Sequence, residues 1–356
     1  MAHQHETNAA DAGLPPVDLR SDTVTKPTEA MYARMASAPL GDDGLDGDPT
    51  ARELEAVAAA ALGKDAGLFV PSCTMANLLA TLAQSQRSEQ IVLEANAHMY
   101  ISERGAATFT GQFYLAIAGS DGAMDLNLLG DAMQGEGLKL RTALVAMETS
   151  HNNASGAVLP LEHMQAVHAM ASARGVPVHL DGARLFNAAI ALEAAPAHIA
   201  RHCDTVSLCL SKGLSAPAGA VLAGPRAVID RSRRFRRMLG GAQRQIGILA
   251  AAGLEAVQVM GARLAEDHRR ARALSDALNW MHPKISATIP QTNIVQVDVS
   301  LSGRDSAAWS RALEGKGVKA RPWGSHRLRC VTHRHIDDAD IDRAVVAFRA
   351  VAEALV

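Results

Sequence analysis

The sequence predicts an α/β protein, with a large, doubly wound, mostly parallel sheet domain followed by a smaller C-terminal α+β domain. Three observations carry this. From Asp18 to about Gly224, short β-rich runs alternate with amphipathic helical patterns, as chains of βαβ units do. Several of the runs are apolar on both faces, which parallel strands covered by helices require. After Gly240-Gly241 the alternation stops and an Ala-, Leu- and Arg-rich stretch begins.

Taken in order, Met1 to Pro16 carries acids and histidines without an apolar stretch. Residues 1–17 therefore read as a disordered tail and not as a secretory signal. Gln90 to Leu93, Ala143 to Met147, Val176 to Leu180 and Thr205 to Leu210 read as strands. Between them, Leu161 to Arg174 repeats apolar positions at helical spacing and closes at Gly175. Ile246 to about Met281 reads as one long helix leading into the small domain. That domain holds a strand at Asn293 to Val299 and a closing helix at Asp337 to Leu355. The expected division is residues 18–245 and 246–356, without internal repeats.

Composition narrows the function classes. With 48% hydrophobic residues but only 3% aromatic, the core is substantial and filled by Ala, Leu and Val. A net charge of -2 gives no reason to expect a nucleic-acid or membrane partner. Apolar runs are broken by charge well before the roughly 20 residues of a bilayer span. Cys73, Cys203, Cys209 and Cys330 show no Cys-x-x-Cys spacing, so they read as reduced thiols of a cytoplasmic protein. His333-Arg334-His335 is too short for a metal site, and no metal is expected. The five arginines between Arg231 and Arg237 read as a solvated helix face or as phosphate contacts across a subunit interface.

Sheets of this kind bind ligands at the carboxyl ends of their strands, so the residues that follow the apolar runs are the candidates. Lys212, in Leu210-Ser211-Lys212-Gly213-Leu214, stands between an apolar run and a Gly/Ser/Pro-rich segment. About thirty residues earlier, Asp181 ends the run Val178-His179-Leu180. A lysine amine and a strand-end carboxylate in this order suit pyridoxal phosphate. The amine forms the Schiff base, and the carboxylate pairs with the protonated ring nitrogen. Ser72-Cys73-Thr74 opens a helical pattern after an apolar run, which fits either a phosphate cradle or an ordinary N-cap. Arg184 reads as a ligand of the cofactor's phenolic oxygen, as a substrate-carboxylate fork, or as an ion-pair partner at the strand end. His98 and His151 each follow a strand, where a histidine can stack on a ring or exchange protons. Glu148 and Asn152 beside His151 suggest a polar cluster at the site mouth, with His151 as a substrate-binding candidate.

Asp18-Leu19-Arg20-Ser21-Asp22-Thr23-Val24-Thr25-Lys26-Pro27-Thr28 resembles the N-terminal signature of the low-specificity threonine aldolases, which are fold-type I pyridoxal phosphate enzymes. The likeness continues through Gly41-Asp42-Asp43, Asp48-Pro49-Thr50, Leu68-Phe69-Val70-Pro71-Ser72 and the segment from His179 to Ala188. It resumes at Leu210 to Leu214, Arg244-Gln245 and Val331-Thr332-His333, and so spans nearly all of the chain after Val17. The resemblance implies that Lys212 is the Schiff-base lysine, Asp181 the pyridinium partner and His98 the ring-stacking residue. Thr74 and the backbone at Cys73 would hold the phosphate, with Arg244 and Arg237 reaching in from a neighbouring subunit. Ser21, Arg184 and Arg329 would hold the substrate carboxylate. The implied reaction cleaves L-threonine, L-allo-threonine or a relative such as phenylserine to glycine and an aldehyde. His98, directly or through a water near Glu103, would take the β-hydroxyl proton. The implied assembly is a homotetramer, with a dimer as the minimal active unit.

Three departures stand out. Gly44-Leu45-Asp46-Gly47 replaces the family's usual Val-Tyr-Gly-Glu, Cys73 replaces a glycine, and Leu138 stands where a histidine is common. If Leu45 and Leu138 face the site, they predict a changed preference at the β-substituent. Two other readings compete: a β-eliminating lyase releasing a keto acid and ammonia, and a non-catalytic pyridoxal-phosphate-binding protein. The Arg20-Ser21-Asp22-Thr23 segment and the context of His98 favour the aldolase over the first. Retention of Lys212, Asp181, Arg184, His98 and Arg329 argues against the second.

Overall fold

The computed structural model describes residues 14–134 and 140–355. Seven strands build the main sheet: β1 Ala66–Val70, β2 Gln90–Glu94, β3 Phe113–Ile117, β4 Thr142–Glu148, β5 Val178–Asp181, β6 Thr205–Cys209 and β7 Ala220–Gly224. Their order is β1-β7-β6-β5-β4-β2-β3. All neighbours run parallel except β7, which is antiparallel to both β1 and β6. The predicted strands are present. β5 begins only at Val178, since Pro177 has no N–H to give the ladder.

The helices that position the site are α1 Pro49–Ala61, α2 Cys73–Gln84, α3 His98–Ile101, α4 Leu161–Ser172, α5 Gly247–Gln258, α6 Leu264–Met281 and α7 Asp338–Leu355. α2 starts directly after β1, and the Ser72 hydroxyl caps it by accepting from the Met75 amide at 3.2 Å. α4 ends ahead of Gly175, which adopts φ +65°, a left-handed geometry that costs glycine little.

The single helix predicted over Ile246 to Met281 is two helices, broken between Gln258 and Leu264. Gly261 sits in that break, where a Cβ would come within 2.7 Å of the Phe186 ring. The two cores also meet past the predicted boundary at 245, within α6. Ile246, Ala250, Leu254 and Leu264 pack in the core of the main sheet, whereas Ala271, Leu274 and Leu278 enter the second core. At the other end, Val17–Asp18 pairs in parallel with Val318–Lys319. Val17 and Leu19 thus join the second core with Trp309 and Phe348. Residues 1–13 of the predicted tail lie outside the described residues.

The small domain carries an antiparallel sheet of β8 Ser286–Ala287, β9 Ile294–Asp298, β10 Arg321–Pro322 and β11 Arg327–Val331, in the order β8-β9-β11-β10. α6 packs against α7 beside it. This arrangement carries Arg329 on β11 to the edge of the main-sheet site, where it meets Asn152.

Candidate active site

The carboxyl ends of five strands open on one cavity of about 250 Å³. β1 leads to Cys73 and Thr74, β2 to His98 and Glu103, β4 to Glu148 and Asn152, β5 to Asp181 and Arg184, and β6 to Lys212, all of them lining it. Sequence neighbours of strand ends become spatial neighbours because parallel strands end on the same side of the sheet.

Asp181 is 2% exposed and is held by two donors. The Asn77 amide reaches Oδ2 at 3.0 Å and the Ala183 backbone N–H reaches Oδ1 at 3.1 Å. Asn77 is itself fixed from behind. Its Oδ1 accepts from Ser207 Oγ at 2.8 Å and lies 3.1 Å from His179 Nε2. Burial pushes His179 down to about 4, so the ring is neutral. With the Thr205 hydroxyl 3.0 Å from Nδ1, the tautomer protonated at Nε2 satisfies every group. Asn77 and His179 carried no predicted role; the signal for them was two polar residues on faces the pattern buries.

His98 Nδ1 lies 3.0 Å from Glu103 Oε1, and this hydrogen bond raises the histidine above its ordinary value. Glu103 Oε1 also accepts from the Thr74 hydroxyl at 3.0 Å. His98, Glu103 and Asp181 each turn an atom toward one spot, within 4.8 Å of one another. The His98 backbone N–H donates to Glu148 Oε2 at 2.5 Å. The Cys73 thiol lies 3.4 Å from Ser207 Oγ and 4.0 Å from Asp181 Oδ1. Cys209, on the same cavity wall, is pulled down by the Cys73 thiol first and by the Lys212 charge, against burial.

Two observations test whether pyridoxal phosphate fits. Half-buried Lys212 lines the cavity, and its amine has no hydrogen bond or ion pair among the described residues. Its carbonyl is anchored by the Thr25 hydroxyl at 2.8 Å and by the Ser215 amide. The backbone amides of Cys73 and Thr74, in the first turn of α2, have no acceptor among the described residues. A free amine, two free helix-start amides and a buried strand-end carboxylate match an aldehyde, a phosphate and a protonated ring nitrogen. The residues fit the group.

Two buried arginines at the site, Arg184 and Arg329, differ. Arg184 forms a two-pronged pair with Asp22, 2.7 Å at each contact, and gives Nη1 to Asn152 Oδ1 at 3.2 Å. Of the three readings open for Arg184, the ion pair is present, though with Asp22 and not Asp181. Arg329 also donates to Asn152 Oδ1, at 3.0 Å, but it has no carboxylate partner among the described residues and its Nε is unsatisfied. Burial, then the nearby Arg184, pushes Arg329 down to about 9. Ser21 is 8% exposed, and its oxygen accepts from Thr23 N and Oγ1 at 3.2 and 2.9 Å.

Several candidates lie elsewhere. His151 is fully buried beneath the cavity and does not stand at its mouth. Its Nε2 is 3.3 Å from Glu94 and 3.8 Å from Glu148. Burial opposes its protonation, but the two carboxylates outweigh burial and raise it. Arg237 is exposed, Arg244 has a side chain 72% exposed, and neither lines the cavity of its own chain. Leu45 is 78% exposed and also absent from the cavity wall, so within one chain it does not make the site less polar. Leu138 lies outside the described residues.

Residues 18–302 match the family model described as beta-eliminating lyase. The chain is 38% identical over 341 residues to the low-specificity L-threonine aldolase 1 of Arabidopsis thaliana, covering 94% of this chain and 95% of that protein. It is 36% identical over 337 residues to the low specificity L-threonine aldolase of Escherichia coli (strain K12), covering 94% and 98%. Among solved structures, that of Leishmania major threonine aldolase superposes with a TM-score of 0.80 at 17% identity, covering 95% of this chain and all of that one.

Proposed function

Because the chain belongs to the beta-eliminating lyase family, among the low-specificity L-threonine aldolases, we propose that it cleaves β-hydroxy-α-amino acids to glycine and an aldehyde. It is a pyridoxal-phosphate-dependent carbon–carbon lyase of the fold-type I class. L-Threonine, L-allo-threonine and phenylserine are the substrates to test. The observation that carries this reading is the uncommitted Lys212 amine in a cavity shared with Asp181, His98 and the α2 start.

Lys212, Asp181, His98 and the amides of Cys73 and Thr74 are the residues that would hold the cofactor. When bound, pyridoxal phosphate supplies a sink for the electron pair released as Cα–Cβ breaks. The rest of the work falls to side chains. Asn77 and Ala183 keep Asp181 oriented by donating to its two oxygens. Arg329, with spare in-plane donors, is the fork for the substrate carboxylate. Asn152 aligns it, while Arg184, committed to Asp22, shapes the site without offering its fork. In this reading Ser21 completes the carboxylate site, its own hydroxyl hydrogen being available. With Nδ1–H given to Glu103, neutral His98 presents Nε2 to accept the β-hydroxyl proton.

Further support bears on setting. Four free cysteines suit a reducing, cytoplasmic compartment. No described helix is long and apolar enough to cross a membrane. Exposed Arg237 and Arg244 suit a homotetramer whose sites are completed by a neighbouring copy.

The test is product identification with each amino acid supplied separately to the cofactor-loaded protein. Glycine with acetaldehyde or benzaldehyde supports the aldolase. A keto acid with ammonia assigns β-elimination instead, and no product from any of the three overturns the substrate class.

A further inference from the structure

Trp323 lies in the turn from β10 to β11, and two guanidiniums pack against its indole. Arg329 stands 4.7 Å from the ring centroid and Arg321 stands 5.2 Å from it. Arg321 and Arg329 are paired positions of the β10–β11 ladder, so their side chains leave the sheet on the same face. The turn is braced where the indole is rooted. The Trp323 amide donates to the Arg327 carbonyl at 2.7 Å, Arg327 donates to Gln296 at 3.1 Å, and Gln296 donates to the Asn153 carbonyl at 3.1 Å. The hairpin is thereby tied to the segment that carries Asn152.

The two buried arginines of the site are held by opposite means. The in-plane N–H groups of Arg184 are occupied by the Asp22 carboxylate. Arg329, 2% exposed, has its guanidinium carbon over an indole ring. A π face attracts a guanidinium without using its in-plane donors. Among the described residues, Nε stays unsatisfied and only Asn152 takes an Nη1 proton.

We propose that Trp323 is a positioning residue for substrate recognition: its indole sets the plane of Arg329 while leaving that fork free for the substrate carboxylate. The inference rests on the assignment of Arg329 to the carboxylate and extends it to a residue that touches neither cofactor nor reacting atoms.

The test uses cofactor-loaded protein with Trp323→Leu, which keeps apolar bulk but has no π face, and Trp323→Phe, which keeps a weaker one. Glycine, the product that carries the same carboxylate, is titrated calorimetrically, and kcat and KM are measured on phenylserine. Trp323→Leu is expected to weaken glycine binding and raise KM about 10-fold, with Trp323→Phe recovering to about 3-fold. kcat and the affinity for pyridoxal phosphate should stay within about twofold. Arg329→Leu separates the two readings. Unchanged glycine affinity in Arg329→Leu would remove the carboxylate assignment and the role of Trp323 with it. Weakened binding in Arg329→Leu but not in Trp323→Leu would remove the role of Trp323 alone. Equal losses in the Leu and Phe variants, or loss of cofactor affinity, would reduce Trp323 to general packing.

Discussion

Replacing Asp22 with asparagine keeps the shape of the buried side chain and removes its charge. Asp22 is 0% exposed and Arg184 4%. The lost contacts are two charge-assisted hydrogen bonds of 2.7 Å, each worth about 1.5–3 kcal/mol. What remains is a buried guanidinium beside Arg329 and near Lys212 that has lost its paired carboxylate and keeps the more distant charge of Glu148. Removing one partner of such a pair typically costs about 3–5 kcal/mol. Asparagine retains one acceptor, which places the expected loss toward about 3 kcal/mol. The assay is urea unfolding at fixed protein concentration of the parent, Asp22→Asn, Arg184→Met and the double variant. The double variant should lose less than the two singles together, by about 2 kcal/mol. A cost below about 1 kcal/mol for Asp22→Asn, or additive singles, would refute the reasoning. The pH dependence has a definite sign. Burial alone would raise the Asp22 carboxyl, but Arg184, followed by Lys212 and Arg329, holds it well below the usual carboxylate range. A depressed folded-state value means the stabilisation is fully present above the unfolded value of about 3.9. It is lost as pH falls toward the folded-state value.

Lys212→Ala should abolish turnover, and borohydride reduction of the loaded parent should add cofactor mass to the peptide containing Lys212; labelling of a different lysine would contradict the assignment. The hydrogen bond to Glu103, with the charges of Asp181, Glu103 and Glu148 behind it, raises His98 above 6.5. If neutral His98 is the base, kcat/KM should fall as pH drops through that raised value. Glu103→Gln should then move the acidic limb to lower pH, and an unmoved limb would assign the base elsewhere. Asn77→Leu strips partners from Asp181, Ser207 and His179 at once. It should cost roughly 2–4 kcal/mol in urea unfolding, and a change below about 1 kcal/mol would mean the network is not needed for stability.

Much of the site was readable from chain order, because its parts follow strands whose apolar runs are plain in the sequence. Cys73, His98, Asp181 and Lys212 each come within a few residues of a strand end, and parallel pairing brings those ends together whatever the strand order. The alternation of runs and helical patterns likewise sufficed for the α/β class. Partnership between side chains did not follow from order. Asp22 and Arg184 are 162 positions apart, and only folding showed that this arginine is already paired while Arg329 is not. His151 and Asn77 bore the same kinds of signal in sequence, a polar residue near a strand or helix start. Burial then sent His151 beneath the site, between two carboxylates, and Asn77 against the Asp181 carboxylate. The helix expected over residues 246–281 is interrupted where the backbone at Gly261 passes close to Phe186, a contact between distant segments that local periodicity does not encode. Apolar period and strand-end position are properties of consecutive residues. Charge pairing, hydrogen-bond satisfaction and steric clearance depend on which segments come to lie side by side, and the packed chain decides them.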